Sequence, residues 1–176
     1  MRTGSAQETG EEQIAEVTVT DINGHETTLA NFAGKVLLIV NVASRCGFTG
    51  QYAELEKLQQ AYSSAGFSVL AFPCNQFLHQ EPLSNVGILA FAESCYRVTF
   101  PIFARIDVRG RSQAPIYAWL ARHMKRRPLL LVPWNFTKFL IGADGKVVRR
   151  FLPTASFDTI REAIERELEK SQHADL

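Results

Sequence analysis

Three stretches of this chain hold side chains able to do chemistry at neutral pH, and a cysteine heads the first. Asn41-Val42-Ala43-Ser44-Arg45-Cys46-Gly47-Phe48-Thr49 places Cys46 just after an apolar run and just before a stretch with helical spacing. Phe72-Pro73-Cys74-Asn75-Gln76-Phe77-Leu78-His79-Gln80-Glu81-Pro82 and Trp134-Asn135-Phe136-Thr137-Lys138-Phe139 follow, and supply amide and indole N–H donors. A helix start offers free backbone N–H groups and the positive end of the helix dipole, both of which favour an anion. A thiolate is such an anion, so Cys46 reads as a nucleophile. The alternative for an isolated cysteine is an inert core residue.

The elements that must position Cys46 follow from hydrophobic spacing. Val36–Val42 is a nearly unbroken apolar run, as expected of a strand buried on both faces. Tyr52, Leu55, Leu58 and Tyr62 recur at helical spacing, with Thr49 placed to cap that helix and Gly66 to close it. Phe67–Phe72 is a second apolar strand. A strand–helix–strand unit of this kind predicts a parallel pair joined by a right-handed crossover. Cys46 then sits at the carboxyl end of a strand, where open α/β sheets build their sites.

Before this unit, Ala15–Thr20 and His25–Leu29 flank the turn Asp21-Ile22-Asn23-Gly24 and predict a hairpin. After it, Ser84 opens a helix reaching about Tyr96, Pro101–Val108 reads as extended, and Ala114–Lys125 reads as helical. Lys138–Ile141 and Lys146–Phe151 flank Ala143-Asp144-Gly145, a second hairpin signal. Ser156 caps a last helix whose Phe157, Ile160, Ile164 and Leu168 form one stripe. The sum is an α/β fold with a central mixed sheet flanked by helices.

Composition narrows the function classes. The 176 residues are read as a flexible tail over 1–13 and a single domain over 14–176. A net charge of +1 leaves no nucleic-acid footprint. No apolar run approaches the ~20 residues that span a bilayer, and the polar start lacks a secretory pattern, so a cytoplasmic location is expected. Three cysteines, Cys46, Cys74 and Cys95, are too few for a disulfide framework and include no Cys-x-x-Cys. The four histidines show no zinc-ligand spacing. Redox or catalytic cysteine chemistry is the expectation that remains.

The three segments, in this order, resemble the glutathione peroxidase family in its cysteine-containing form, from about Ala15 to Arg166. The resemblance implies a thioredoxin-like fold and a thiol peroxidase with no bound cofactor, reducing hydroperoxides with thioredoxin or glutathione as co-substrate. It assigns a catalytic tetrad to Cys46, Gln80, Trp134 and Asn135. Cys46 would attack the peroxide and become a sulfenic acid, while the other three donate hydrogen bonds without titrating near pH 7. A peroxide sensor that relays oxidation to a partner protein would use the same cysteine. A peroxiredoxin is disfavoured, because Ile39 and Ala43 stand where its Pro and Thr would precede Cys46.

The chain also departs from its relatives. Their resolving cysteine would fall at Ala92 or Glu93, whereas this chain has Cys95, on one helical stripe with Ile88 and Ala92. Cys95 is therefore read either as a displaced resolving cysteine or as a core cysteine. Leu78, Leu83 and Arg97 replace the relatives' usual glycines, which predicts a different path for the Gln80 loop and more apolar surface for lipid hydroperoxides. Arg122, His123, Lys125, Arg126 and Arg127 form a basic cluster at a helix end, suited to the dipole or to an acidic partner. The short segment from Lys125 to Val132 lacks the assembly loop of tetrameric relatives, and by that resemblance a monomer is expected.

Overall fold

The computed structural model describes residues 10–176, and the first nine residues of the expected tail lie outside the described residues. A short hairpin, β1 (Thr18–Thr20) and β2 (Glu26–Thr28), precedes the main unit. Strand β3 (Val36–Val42), helix α1 (Gln51–Tyr62) and strand β4 (Phe67–Pro73) form the expected unit, with β3 and β4 parallel. Helix α2 (Asn85–Tyr96) and helix α3 (Pro115–His123) follow. Strands β5 (Lys138–Ile141) and β6 (Val147–Phe151) complete an antiparallel hairpin, and helix α4 (Phe157–Ala174) ends the chain. The sheet order is β4-β3-β5-β6, so β3 lies inside the sheet, with β5 antiparallel to it.

Alternation along β3 divides the core. Val36, Leu38, Val40 and Val42 face one way and pack with Tyr52, Leu55 and Leu58 of α1, Ile88 and Ala92 of α2, and Ile160 and Ile164 of α4. Leu37 and Ile39 face the other way and pack with Ile116, Tyr117 and Leu120 of α3. The apolar run is continuous because both faces are covered. Among the described residues, no helix is long and apolar enough to cross a membrane.

Several local expectations shift. Thr49 does not cap α1, whose first residue follows Gly50. Helix α3 stops at His123, and Pro101–Val108 forms isolated bridges, such as Ala71 with Ile102, rather than a strand. Residues at the end of the expected tail are held in place: the Trp119 indole donates to the Glu12 carbonyl at 2.8 Å, and Arg122 lies 3.1 Å from the Glu12 carboxylate. His123, 3.1 Å from Glu11, joins the same contact, while Lys125, Arg126 and Arg127 stay exposed.

Two of the three expected glycine positions hold left-handed backbone: Leu78 and Arg97 both sit at φ 52°, while Leu83 does not. Arg97 ends α2 in this conformation, its N–H bonding to the Ala92 and Glu93 carbonyls. A side chain there costs about 1–2 kcal/mol of sterics, partly offset by the freedom glycine adds to the unfolded chain. Arg97→Gly is therefore expected to stabilise the fold by about 0.5–1 kcal/mol, measured as a higher urea midpoint.

Candidate active site

Strand β3 ends at Val42, and the chain turns through Ala43-Ser44-Arg45-Cys46 before entering α1. The Thr49 hydroxyl organises this turn. Its oxygen accepts the Cys46 N–H at 2.9 Å and its proton goes to the Ala43 carbonyl at 2.8 Å. The Phe48 N–H points at the Cys46 sulfur from 3.4 Å. Cys46 is half buried and free, packed at the edge of the core on the α1 side. The Phe48 N–H is thus a donor available to negative charge on the sulfur, and α1 opens five residues on, at Gln51.

The Gln80 loop reaches this turn from the end of β4. The Arg45 N–H donates to the Gln80 carbonyl at 2.9 Å, fixing the loop one residue before Cys46. Leu78 and His79 both take left-handed backbone to make the turn (φ 52° each). The loop keeps Gln80 within reach of the third segment despite lacking glycine: Asn135 Nδ2 donates to Gln80 Oε1 at 2.9 Å. With its oxygen so engaged, the Gln80 side-chain NH2 remains free to donate elsewhere. His79 is exposed, and its ring lies 3.5 Å from the Asn75 amide.

Asn41 sets the third segment. An asparagine is out of character in a buried strand, and its function is to bridge: its side-chain NH2 donates to the Trp134 carbonyl at 3.1 Å, and its carbonyl accepts the Phe136 N–H at 2.7 Å. The Thr137 hydroxyl donates to the same Trp134 carbonyl at 2.7 Å. The half-buried Trp134 ring leans on Phe77, with centroids 5.5 Å apart, and the Arg109 guanidinium covers the Phe77 ring at 4.6 Å. Asn135 is fully buried.

Phe136 is the fourth non-glycine residue with left-handed backbone (φ 63°), and a buried lysine holds it. Lys138 Nζ donates to the Phe136 carbonyl at 2.8 Å and to Gln51 Oε1 at 2.7 Å, and lies 5.3 Å from the Phe157 ring. Burial with no countercharge pulls its ammonium down from 10.5 to about 7. The unfolded chain then binds the extra proton between those values, so this group's contribution is present above 10.5 and lost as pH falls to about 7. Stability is expected to rise by on the order of 2–4 kcal/mol from pH 7 to 10.5, and Lys138→Met should flatten that rise in urea titrations.

Cys95 lies exposed in the last turn of α2, while Ile88 and Ala92 are buried. The shared stripe expected from spacing therefore breaks at its end, and the core-cysteine reading fails. Cys74 is buried, and burial raises its thiol above the usual range. All three cysteines are free. Among the described residues, no three His, Cys, Asp or Glu side chains are grouped to hold a metal ion.

A glutathione peroxidase family model matches residues 14–121, which contain Cys46 and Gln80. Over 155 residues the chain is 49% identical to phospholipid hydroperoxide glutathione peroxidase 1, chloroplastic, of Arabidopsis thaliana, covering 88% of this chain and 66% of that protein. The chain thus spans just under two thirds of that relative's length. It is 45% identical over 163 residues to thioredoxin/glutathione peroxidase BtuE of Escherichia coli, covering 81% of this chain and 89% of that protein. The crystal structure of T. cruzi GPX1 aligns with a TM-score of 0.70 at 36% identity, covering 90% of this chain and 97% of that one. Structures of a thioredoxin family protein and a putative thioredoxin, at 13% and 17% identity, align with TM-scores of 0.63 and 0.62, so the fold is thioredoxin-like. The family match covers more than half of the chain, and the relatives extend it across the third segment: the chain belongs to the glutathione peroxidase family.

Proposed function

We propose that this chain is a cysteine-dependent thiol peroxidase with Cys46 as nucleophile and Gln80, Trp134 and Asn135 as donors. The observation that carries the reading is a chain of hydrogen bonds that links the three segments beside Cys46. The Phe48 N–H faces the sulfur, Arg45 is tied to Gln80, and Gln80 is bonded to Asn135. The Cys46 thiolate attacks one peroxide oxygen and the O–O bond breaks. The leaving oxygen takes a proton to become water or an alcohol, and the sulfur is left as a sulfenic acid. Gln80 and Asn135 orient the peroxide, and the Trp134 indole donates towards the sulfur. A thiol then condenses with the sulfenic acid, releasing water, and a second thiol reduces the resulting disulfide.

Cys95 is the proposed first thiol, with thioredoxin reducing the Cys46–Cys95 disulfide. Its exposure and its place in a last helical turn ended by the strained Arg97 support this, since helix ends fray. Glutathione acting directly on Cys46 is the alternative, and the name of the Escherichia coli relative, thioredoxin/glutathione peroxidase, covers both reductants. Leu78, exposed two residues before Gln80, favours lipid hydroperoxides as substrates. The working unit is a monomer in the cytoplasm. The deciding experiment is NADPH-coupled turnover with the thioredoxin and glutathione systems, for the wild type and Cys95→Ser. Thioredoxin-driven turnover lost in Cys95→Ser is expected. Glutathione turnover that survives the substitution would overturn the role of Cys95, and no turnover with either system would overturn the peroxidase reading.

A further inference from the structure

The Gln80 loop carries an ionisable group that the steps above do not use. Glu81 has no exposed surface. Both of its carboxyl oxygens lack a hydrogen-bond partner, as do the Ser44 and Tyr52 hydroxyls, and all four atoms are sealed from solvent. Ser44 favours the Glu81 carboxylate through its hydroxyl and N–H, and Tyr52 feels the carboxylate's charge. One backbone bond ties the two loops on either side of this cluster, Arg45 N–H to the Gln80 carbonyl, and within the Gln80 loop the Glu81 N–H donates to Asn75 Oδ1, each at 2.9 Å.

The charged groups facing Glu81 are two arginines, and neither forms an ion pair with it. Arg45 is exposed, and Arg105 places its Nη1 on the Glu81 and Leu83 carbonyls at 3.2 Å each. Burial therefore dominates and raises the carboxyl from 4.5 to about 7, with Ser44, Arg105 and Arg45 offsetting only part of it. As a neutral acid, Glu81 has one O–H to donate and one carbonyl to accept, which suits the Ser44 hydroxyl and N–H. As an anion it is a buried charge without a salt-bridge partner, and the loop gains by opening towards water.

We propose that Glu81 is a positioning residue for the reaction at Cys46: in its neutral form it locks the Gln80 loop against the Ser44–Cys46 turn, and its ionisation releases that lock and misplaces the Gln80 amide. The functional half of this inference rests on the peroxidase reading. The structural half does not, because the Asn135 amide bonded to Gln80 reports the lock directly. Folded-state stability carries the same signature. A carboxyl raised above its unfolded value contributes fully below about 4.5, and the contribution is lost as pH rises through about 7.

The test has two arms, each comparing wild type with Glu81→Gln, which keeps the neutral shape. In reduced protein, carbon NMR of the Glu81 carboxyl and nitrogen NMR of the Asn135 side-chain amide are followed across neutral pH. A shared midpoint near neutrality is expected, with the Asn135 signal unmoved in Glu81→Gln. In stopped flow, the rate of Cys46 oxidation by hydrogen peroxide is measured over the same range. Taking the ratio of wild type to Glu81→Gln cancels the titration of the thiol itself. That ratio is expected to fall by about tenfold as Glu81 ionises, the factor equivalent to one pKa unit of coupling. A flat ratio, or a Glu81 carboxyl already ionised well below neutrality, would overturn the proposal. A coupled Asn135 signal beside a Cys46 that peroxide does not oxidise would support the lock and count against the peroxidase reading instead.

Discussion

Cys46→Ser is expected to abolish peroxide turnover, by ~10⁴-fold or more, while leaving the fold intact. The serine hydroxyl fits the same turn: the Thr49 hydroxyl would still accept the residue's N–H, and the Phe48 N–H would still face its side chain. What disappears is the thiolate. A serine hydroxyl stays protonated at neutral pH, and oxygen has no counterpart to the sulfenic acid that stores the oxidising equivalent. Neither other cysteine can substitute. Cys74 is sealed in the core beside α3, and Cys95 is exposed in the last turn of α2 with no backbone donor on its sulfur among the described residues. Residual turnover above a few per cent in Cys46→Ser, with unfolding unchanged, would move the nucleophile elsewhere.

Asn135→Ala is expected to lower kcat by about 10²–10³-fold, the range seen when one preorganised donor to a developing negative charge is removed. The loss has two parts in this structure. The Asn135 amide is a donor itself, and it also holds the Gln80 oxygen, so that the Gln80 amide points its N–H groups away from Asn135. Asn135→Asp separates these parts. A carboxylate facing Gln80 Oε1 would force the Gln80 amide to turn over and spend its own donor on the new acid. The aspartate variant should therefore be at least as slow as the alanine variant despite its near-identical shape. Single-turnover oxidation of Cys46 with circular dichroism as a folding control checks both. Asp activity close to wild type would show that the Gln80–Asn135 bond does not orient the reaction.

The layered fold was legible because its signals are local. The run Val36–Val42, the stripe Ile160, Ile164, Leu168 and the Ala143-Asp144-Gly145 turn each announce their element without reference to the rest of the chain. The three candidate segments were legible for a different reason, as motifs carried by resemblance. What spacing could not show was how they meet. Thr49 has the right type and place for a helix cap, yet it secures the Cys46 turn because Ala43 offers its hydroxyl a carbonyl. Asn41 and Lys138 were hidden inside apolar strands, where a polar side chain is normally a fault, and their partners lie on other elements. Two hints were available: an asparagine in an otherwise unbroken strand, and a lysine opening Lys138-Phe139-Leu140-Ile141. The exposure of Cys95 could not be read from spacing, because a stripe with Ile88 and Ala92 suits a core cysteine as well as a resolving one until the covering element is known to end.

The two indoles of this chain occupy unlike settings, and that difference makes the molecule its own optical instrument. Trp119 is buried, donates to the Glu12 carbonyl and stacks on the His123 imidazole at 4.0 Å. Contact with an imidazole quenches indole emission, so Trp119 is expected to be the dimmer of the pair. Trp134 is half buried against Phe77 and hangs from Asn41, on the strand that leads to Cys46. A change in intrinsic fluorescence when peroxide is added would therefore come from Trp134, and no label is needed to time the chemistry. Release of the segment around Glu12 would instead brighten Trp119, so a signal that persists in Trp119→Phe belongs to Trp134.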